Sequence, residues 1–177
     1  MEGAVQFVWI DYPGPYEAEM ERWCDESVRY AIDEDGIREE HDWYVDHYTL
    51  GKDYFCKVIL DGEVVVALLM LRIEDAKMPC GEHVVFLDTL IINPALRHQG
   101  YGTRIVAELI QHTEDIIPFG NNIFVAQIHK DNAISKKLAA KLNFYFIYTD
   151  AEADDDWFDW VYPARAASSY LALRDEN

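Results

Sequence analysis

The sequence predicts one α/β (α+β) domain over residues 1–177, and three observations carry that prediction. Seven short stretches have the apolar alternation or continuity of strands, four others repeat apolar residues at three- and four-residue spacing, and the two kinds interleave through the second half. A chain of 177 residues that is 50% apolar and 14% aromatic can bury one substantial core without a second domain.

The elements follow in order. Alternation in Val5-Gln6-Phe7-Val8-Trp9-Ile10 predicts a first strand, ended by Pro13, Gly14 and Pro15. Residues 16–32 place Met20, Trp23, Cys24, Val28 and Ala31 on one helical face, and residues 37–50 place Trp43, Tyr44, His47 and Tyr48 likewise. Strands at 54–60 and 64–73 meet at Asp61-Gly62, a dipeptide that tolerates positive φ and so marks a tight hairpin. The nearly unbroken apolar run 84–92 reads as a strand buried on both faces, closed by Asn93-Pro94. A helix at 103–113, a strand at 122–128 and a helix at 132–142 alternate after it. Two last strands, 144–149 and 157–162, are joined by the acidic link 150–156, and the tail from Ala164 has room for a short helix.

Charge excludes some functions. A net −18 repels a phosphate backbone, so nucleic acid is not an expected partner. Residues 93–141 stand apart: six Lys or Arg against four Asp or Glu leave that stretch at +2 and the remainder at −20. An anion suits the first region and a cation the second, although acids also serve solubility alone. No apolar run reaches the ~18 residues of a membrane span, and the first residues lack the basic region of a signal peptide, so the expectation is a cytoplasmic protein with no membrane partner. Cys24, Cys56 and Cys80 are scattered and odd in number, which suits reduced thiols, with buried packing expected for the first two. The six histidines show no ligand spacing, and no metal is expected.

The segment richest in chemistry is Ile91-Ile92-Asn93-Pro94-Ala95-Leu96-Arg97-His98-Gln99-Gly100-Tyr101-Gly102-Thr103, which runs from buried strand through a turn into a helix. Glycines at 100 and 102 allow a sharp bend and close approach to a ligand, so that the amides at the helix start converge on an anion such as a diphosphate, with Arg97 or Arg104 nearby. A purely structural strand-to-helix turn also uses glycines. There is no G-x-x-x-x-G-K-S/T, and Ile105 stands where G-x-G-x-x-G needs its third glycine, so P-loop and Rossmann readings fail.

Arg97-His98-Gln99-Gly100-Tyr101-Gly102 resembles the acetyl-CoA loop Q/R-x-x-G-x-G/A of the GNAT superfamily of N-acetyltransferases. Asp131-Asn132-Ala133-Ile134-Ser135, leading to Leu142-Asn143-Phe144, resembles the family's second block. The two cover roughly 84–148; the N-terminal half carries no diagnostic motif.

This resemblance implies a central mixed, mostly antiparallel sheet of about seven strands flanked by about four helices and splayed at the fourth and fifth strands. It implies acetyl-CoA as co-substrate. Backbone at Leu90, Ile91 and Ile92 would pair with the pantetheine arm. Amides from His98, Gln99, Gly100, Tyr101, Gly102 and Thr103 would hold the pyrophosphate with Arg97 beside them, and Asn132 with Ser135 would steady the pantetheine. Lys136 and Lys137 would meet the 3′-phosphate or form a solvated helix face, and Asn132 equally suits a helix N-cap. Two departures stand out: Ala139 replaces the Tyr that many members use to protonate the leaving thiolate, and Asn143 replaces a glycine. With Ser135 present, the block is most similar to the ribosomal-protein N-terminal and antibiotic acetyltransferase branch. The thiolate then leaves without a dedicated acid, or Tyr145 or Tyr148 serves as the proton donor.

An alkylammonium of pKa about 10 is only about 0.1% neutral near pH 7, so a base is expected. Asp88 interrupts the apolar run and by strand parity shares a face with Leu90 and Ile92, making it the candidate, against a structural Asp bonded to backbone or a Tyr. Glu74, Glu82 and His83 are runners-up. The acidic helices and the 150–159 segment favour a cationic acceptor: a small amine, a polyamine, an aminoglycoside-like antibiotic or a basic protein N-terminus. Trp157, Trp160 and Tyr162 line that pocket, form a homodimer contact, or, the better-supported reading, pack in the core. The alternative function is a non-catalytic acetyl-CoA-binding sensor or interaction module.

Overall fold

The computed structural model describes residues 6–24, 36–74, 82–120, 122–147 and 156–175. Seven strands form one sheet in the order β1-β2-β3-β4-β5-β7-β6, with every neighbouring pair antiparallel except β4 and β5. The strands are β1 (Val8–Asp11), β2 (Tyr54–Asp61), β3 (Val64–Glu74), β4 (His83–Ile92), β5 (Asn122–His129), β6 (Tyr145–Phe146) and β7 (Trp157–Tyr162). Six α-helices are described: α1 (Glu17–Met20), α2 (Ile37–His47), α3 (Tyr101–Gln111), α4 (Thr113–Ile116), α5 (Ala133–Lys141) and α6 (Ala167–Asp175). This is the mixed, mostly antiparallel sheet the sequence led us to expect. None of the described helices is long and apolar enough to cross a membrane.

Helices cover both faces. Ile105, Val106 and Leu109 of α3 and Ala139 of α5 pack on one side with Val66, Leu69, Leu71, Val85 and Phe124. On the other, Ile37 and Tyr44 of α2 join Val65, Leu68, Met70 and Ile91, while Tyr170 of α6 joins Phe86, Val125 and Val161. Each fully buried Leu, Ile or Val contributes about 1.5–3 kcal/mol by leaving water, so this two-sided burial is what holds the sheet between its helices. Buried Glu108 ties α3 to the edge of the sheet, accepting from the Gln6 and Phe7 amides at 2.7 and 3.0 Å and from Trp9 Nε1 at 2.9 Å. Three donors make that buried carboxylate tolerable.

The structure redraws some boundaries. The helix expected over 16–32 is α1 plus a 3₁₀ turn, Glu21–Trp23, that stops at extended Cys24; residues 25–32 lie outside the described part. Glu21 instead turns to the start of α2 and accepts from the Arg38 amide at 2.7 Å, meeting a donor that Gly36 has no side chain to cap. Helix α2 ends at His47 because Tyr48 is extended, and α4 was not foreseen. The hairpin is as predicted: Asp61 pairs with Val64, and Gly62 has φ +61°. Of the strand expected over 144–149, the described residues hold β6, which starts at Tyr145 because Asn143, at φ +61°, ends α5 and the Phe144 amide returns to Ala139 O at 3.0 Å; residues 148 and 149 lie outside the described part. Asn143 thus does what the glycine it replaces would do. Cys56 is buried, but Cys24 is exposed against expectation, and Cys80 lies outside the described residues. Burial pushes the Cys56 thiol up to about 12, so it stays protonated and unreactive.

Candidate functional site

Parallel pairing of β4 with β5 runs from His83↔Asn122 to Phe86↔Val125 and stops. Strand β4 continues six residues to Ile92 along β3, and β5 continues to His129 along β7. The two strands therefore part, leaving the backbone edge of Leu90, Ile91 and Ile92 facing a cleft. Ligands of α/β sheets collect at the carboxyl ends of such diverging strands, where following helices begin.

Two helices begin here. Between β4 and α3, Asn93 closes a 3₁₀ turn, Pro94–Leu96, by accepting from the Ala95 amide at 3.1 Å and donating to Val65 O at 2.9 Å. Arg97 Nε donates to Ile92 O at 3.3 Å, and Gln99 Nε2 to Ala95 O at 3.3 Å. His98 and Gly100 both have positive φ, +63° and +83°. Left-handed residues two apart fold the backbone into a concave nest whose amides converge, and the first helical bond, Arg104 N to Gly100 O, leaves the amides of Tyr101, Gly102 and Thr103 ahead of it. His98, Gln99 and Gly100 are exposed.

The two glycines have different reasons. A side chain at Gly100 would meet open space, so its glycine is required by backbone conformation. A Cβ at Gly102 would stand 2.9 Å from Leu138 Cδ1 and 3.8 Å from Leu90 Cδ2, so the packing of α3 on α5 and β4 is close at that glycine. At the start of α5 the Asn132 side chain accepts from the Ser135 amide at 3.1 Å: the N-cap role is real. Lys136 Nζ bonds Lys130 O, and Lys137 is exposed. Arg104 does not point into the nest but stacks over Tyr101, 4.3 Å from its ring centre, while the Tyr101 hydroxyl donates to Asp61 at 3.0 Å. Ala139 is 2% exposed in the core, Tyr145 is exposed, and Tyr148 lies outside the described residues.

Asp88 sits at a β-bulge. The ladder pairs Met70 with Thr89 but Leu71 with Leu87, so Asp88 is the extra residue. The parity argument that put it beside Leu90 and Ile92 is corrected by that bulge. Val85 and Leu87 before it, and Leu90 and Ile92 after it, all pack in the α3 cluster. Asp88 projects to the opposite face, where Arg72 Nε and Nη2 donate to it at 3.1 and 3.3 Å and Tyr44 hydrogen-bonds it. Burial raises the Asp88 carboxyl above the usual carboxylate range; Arg72 and Tyr44 hold it down, and burial prevails. Of the runners-up, Glu82 faces Arg165 at 3.9 Å, His83 meets the Phe119 ring edge-on, and Glu74 is exposed at the end of β3.

Sequence reasoning missed what surrounds Asp88. On the same face lies a cavity of about 290 Å³ lined by Arg72, Glu74, Phe86, Gln127, Tyr170 and Arg174. Asp159 of β7, 2% exposed, accepts from Gln127 at 3.1 Å, Tyr170 at 2.7 Å and Arg174 at 2.9 Å, so it is a buried hub and not part of an acidic surface. Single charges in apolar strands, Arg72 in β3 and Asp159 in β7, were the available signal. Of the aromatic trio, Trp160 and Tyr162 pack on the core, whereas Trp157 is exposed against His129.

Comparison with known proteins agrees with this geometry. A family model described as the acetyltransferase (GNAT) family matches residues 11–144. No curated protein matches the chain by sequence. Among solved structures, an aminoglycoside N(6′)-acetyltransferase from Legionella pneumophila superposes with TM-score 0.67 at 14% identity, over 90% of this chain and 92% of that one. A spermidine N-acetyltransferase from Vibrio cholerae, in complex with CoA and spermine, superposes with TM-score 0.60 at 11% identity, over 88% and 93%. NAA60 of Arabidopsis thaliana, in complex with acetyl-CoA, superposes with TM-score 0.58 at 12% identity, over 88% and 97%.

Proposed function

The chain belongs to the GNAT acetyltransferase family, and from that premise we propose that it transfers acetyl from acetyl-CoA to a primary amine by direct attack. The observation that carries the proposal is the parting of β4 from β5 after Phe86, with the left-handed nest of His98 and Gly100 at its mouth. The nest amides suit a diphosphate, the free edge of β4 suits the amide groups of a pantetheine arm, and the parting strands give that arm a slot. Helix-terminal amide contacts stabilise an anion by about 0.3–1 kcal/mol each, so several act together. Two of the solved relatives hold CoA or acetyl-CoA, and the acceptors named for relatives are amines.

In this reading the neutral amine attacks the thioester carbon. Its proton passes to Asp88, directly or through a water. The C–S bond breaks, sulfur leaves as thiolate and takes up a proton from solvent or Tyr145, and the products are an amide and CoA thiol. The burial that raises Asp88 suits a base, since an ordinary carboxylate is too acidic to compete for an amine proton.

A second reading, an acetyl-CoA-binding module without turnover, is favoured by buried Ala139 and by the bidentate grip of Arg72 on Asp88. Thiol release from acetyl-CoA across a panel of amines decides between them: turnover with any amine supports the enzyme, and binding of CoA without turnover supports the module.

A further inference from the structure

The cavity between the Arg72–Asp88 pair and α6 carries charges that the nest on the far face does not explain. Resting on the acyl-transfer reading, we propose that this cavity is the acceptor pocket and that it selects amines bearing a second positive charge, with Glu74 as the selecting residue.

Register places the pocket at the right depth. Arg72 lies beside Phe86, Phe86 beside Val125, and Gln127 beside Asp159. Asp88 and Gln127 each lie two residues beyond the last β4–β5 pair, so they stand on either side of the opening where the strands part. An amine in the cavity approaches that opening from the face opposite the nest.

The hydrogen-bond inventory then sets the acceptor's chemistry. Arg72 is gripped by Asp88 at two nitrogens and lies 4.2 Å from the Phe86 ring centre. Tyr170, Arg174 and the Gln127 amide all donate to Asp159. Each guanidinium of the lining is thus paired with a carboxylate, Arg72 with Asp88 and Arg174 with Asp159. Glu74 is the lining charge that makes no ion pair with any described residue, and Gln127 Oε1 is an acceptor beside it. With Asp88 and Asp159 behind the wall offsetting Arg72 and Arg174, the charge left over in the lining is the carboxylate of Glu74. A ligand completing it brings N–H donors and positive charge. Glu74 pairs with Val84, four residues before Asp88 on β4, so the two nitrogens of such an acceptor are separated by a chain of several carbons.

Three ligands of equal chain length isolate the terminal group: cadaverine, pentylamine and δ-aminovalerate. Titrated calorimetrically into the protein, with and without saturating CoA, cadaverine binds about tenfold more tightly than pentylamine, the effect of one added hydrogen bond between charged groups. Glu74→Gln reduces cadaverine to the level of pentylamine, and Glu74→Lys moves the preference to δ-aminovalerate. Equal binding of cadaverine and pentylamine, tightest binding of δ-aminovalerate by the unaltered chain, no binding of any of the three, or a preference that survives Glu74→Gln overturns the proposal. The two readings fail separately. Selective binding without thiol release sinks acyl transfer and leaves the pocket standing; thiol release without selectivity does the reverse.

Discussion

Past the bulge, β4 turns Leu90 and Ile92 toward the starts of α3 and α5, where the groups offered to a ligand are backbone amides. The face toward α2 and α6 offers side chains instead, Arg72, Asp88, Glu74 and Gln127, most of them charged. One strand therefore serves two surfaces of different material. Backbone donors cannot be changed by substitution except through conformation or packing, so that face suits an invariant carrier. Side chains can be exchanged one at a time, so the other face suits a variable acceptor.

The comparison breaks first at Asp88. Asp88→Asn removes the proposed base and leaves Arg72 with a neutral partner; thiol release with a good amine falls about 10²–10⁴-fold, while thermal stabilisation by CoA is retained. A base works only when ionised, so activity of the unaltered chain declines as pH falls through the Asp88 pKa. Because burial raises that pKa, the decline sits above the ordinary carboxylate range, and the Asn variant lacks it. Retained activity with an unchanged pH profile leaves Asp88 a purely structural partner of Arg72.

Substitutions on the backbone face act through packing and conformation. Gly102→Val presses on Leu138 and costs about 1–3 kcal/mol of stability. It also shifts the start of α3, so stabilisation by CoA is lost. Adding Leu138→Ala restores part of both, which melting curves of the single and double variants measure. Gly100→Ala meets no neighbour, so its cost is the left-handed backbone alone, about 1 kcal/mol. It weakens CoA binding without altering the acceptor preference. Asn132→Ala removes the cap of α5 and costs about 0.5–2 kcal/mol by the same assay.

The same contrast explains what was readable in the letters. The nest was visible because a left-handed turn before a helix demands Gly at 100, and the family pattern around it is local in sequence. The face toward α2 and α6 was not, because its contacts join residues 11 to 32 apart: Tyr170 to Asp159, Arg72 to Asp88, Gln127 to Asp159. The bulge compounds this, since one extra residue inverts every parity argument beyond it. Strand parity therefore put Asp88 on the face of Leu90 and Ile92, and the bulge puts it on the other. Nor does the local pattern around Gly102 carry its closeness to Leu138, a contact between α3 and α5.

Melting the unaltered protein with CoA, ATP or NAD tests the central claim most directly. A slot built for a pantetheine arm beneath a diphosphate nest predicts a clear upward shift with CoA, about 2.7 kcal/mol of stabilisation at a hundredfold excess over Kd, and little with nucleotides that lack the arm. An equal shift with all three, or none with CoA, contradicts it.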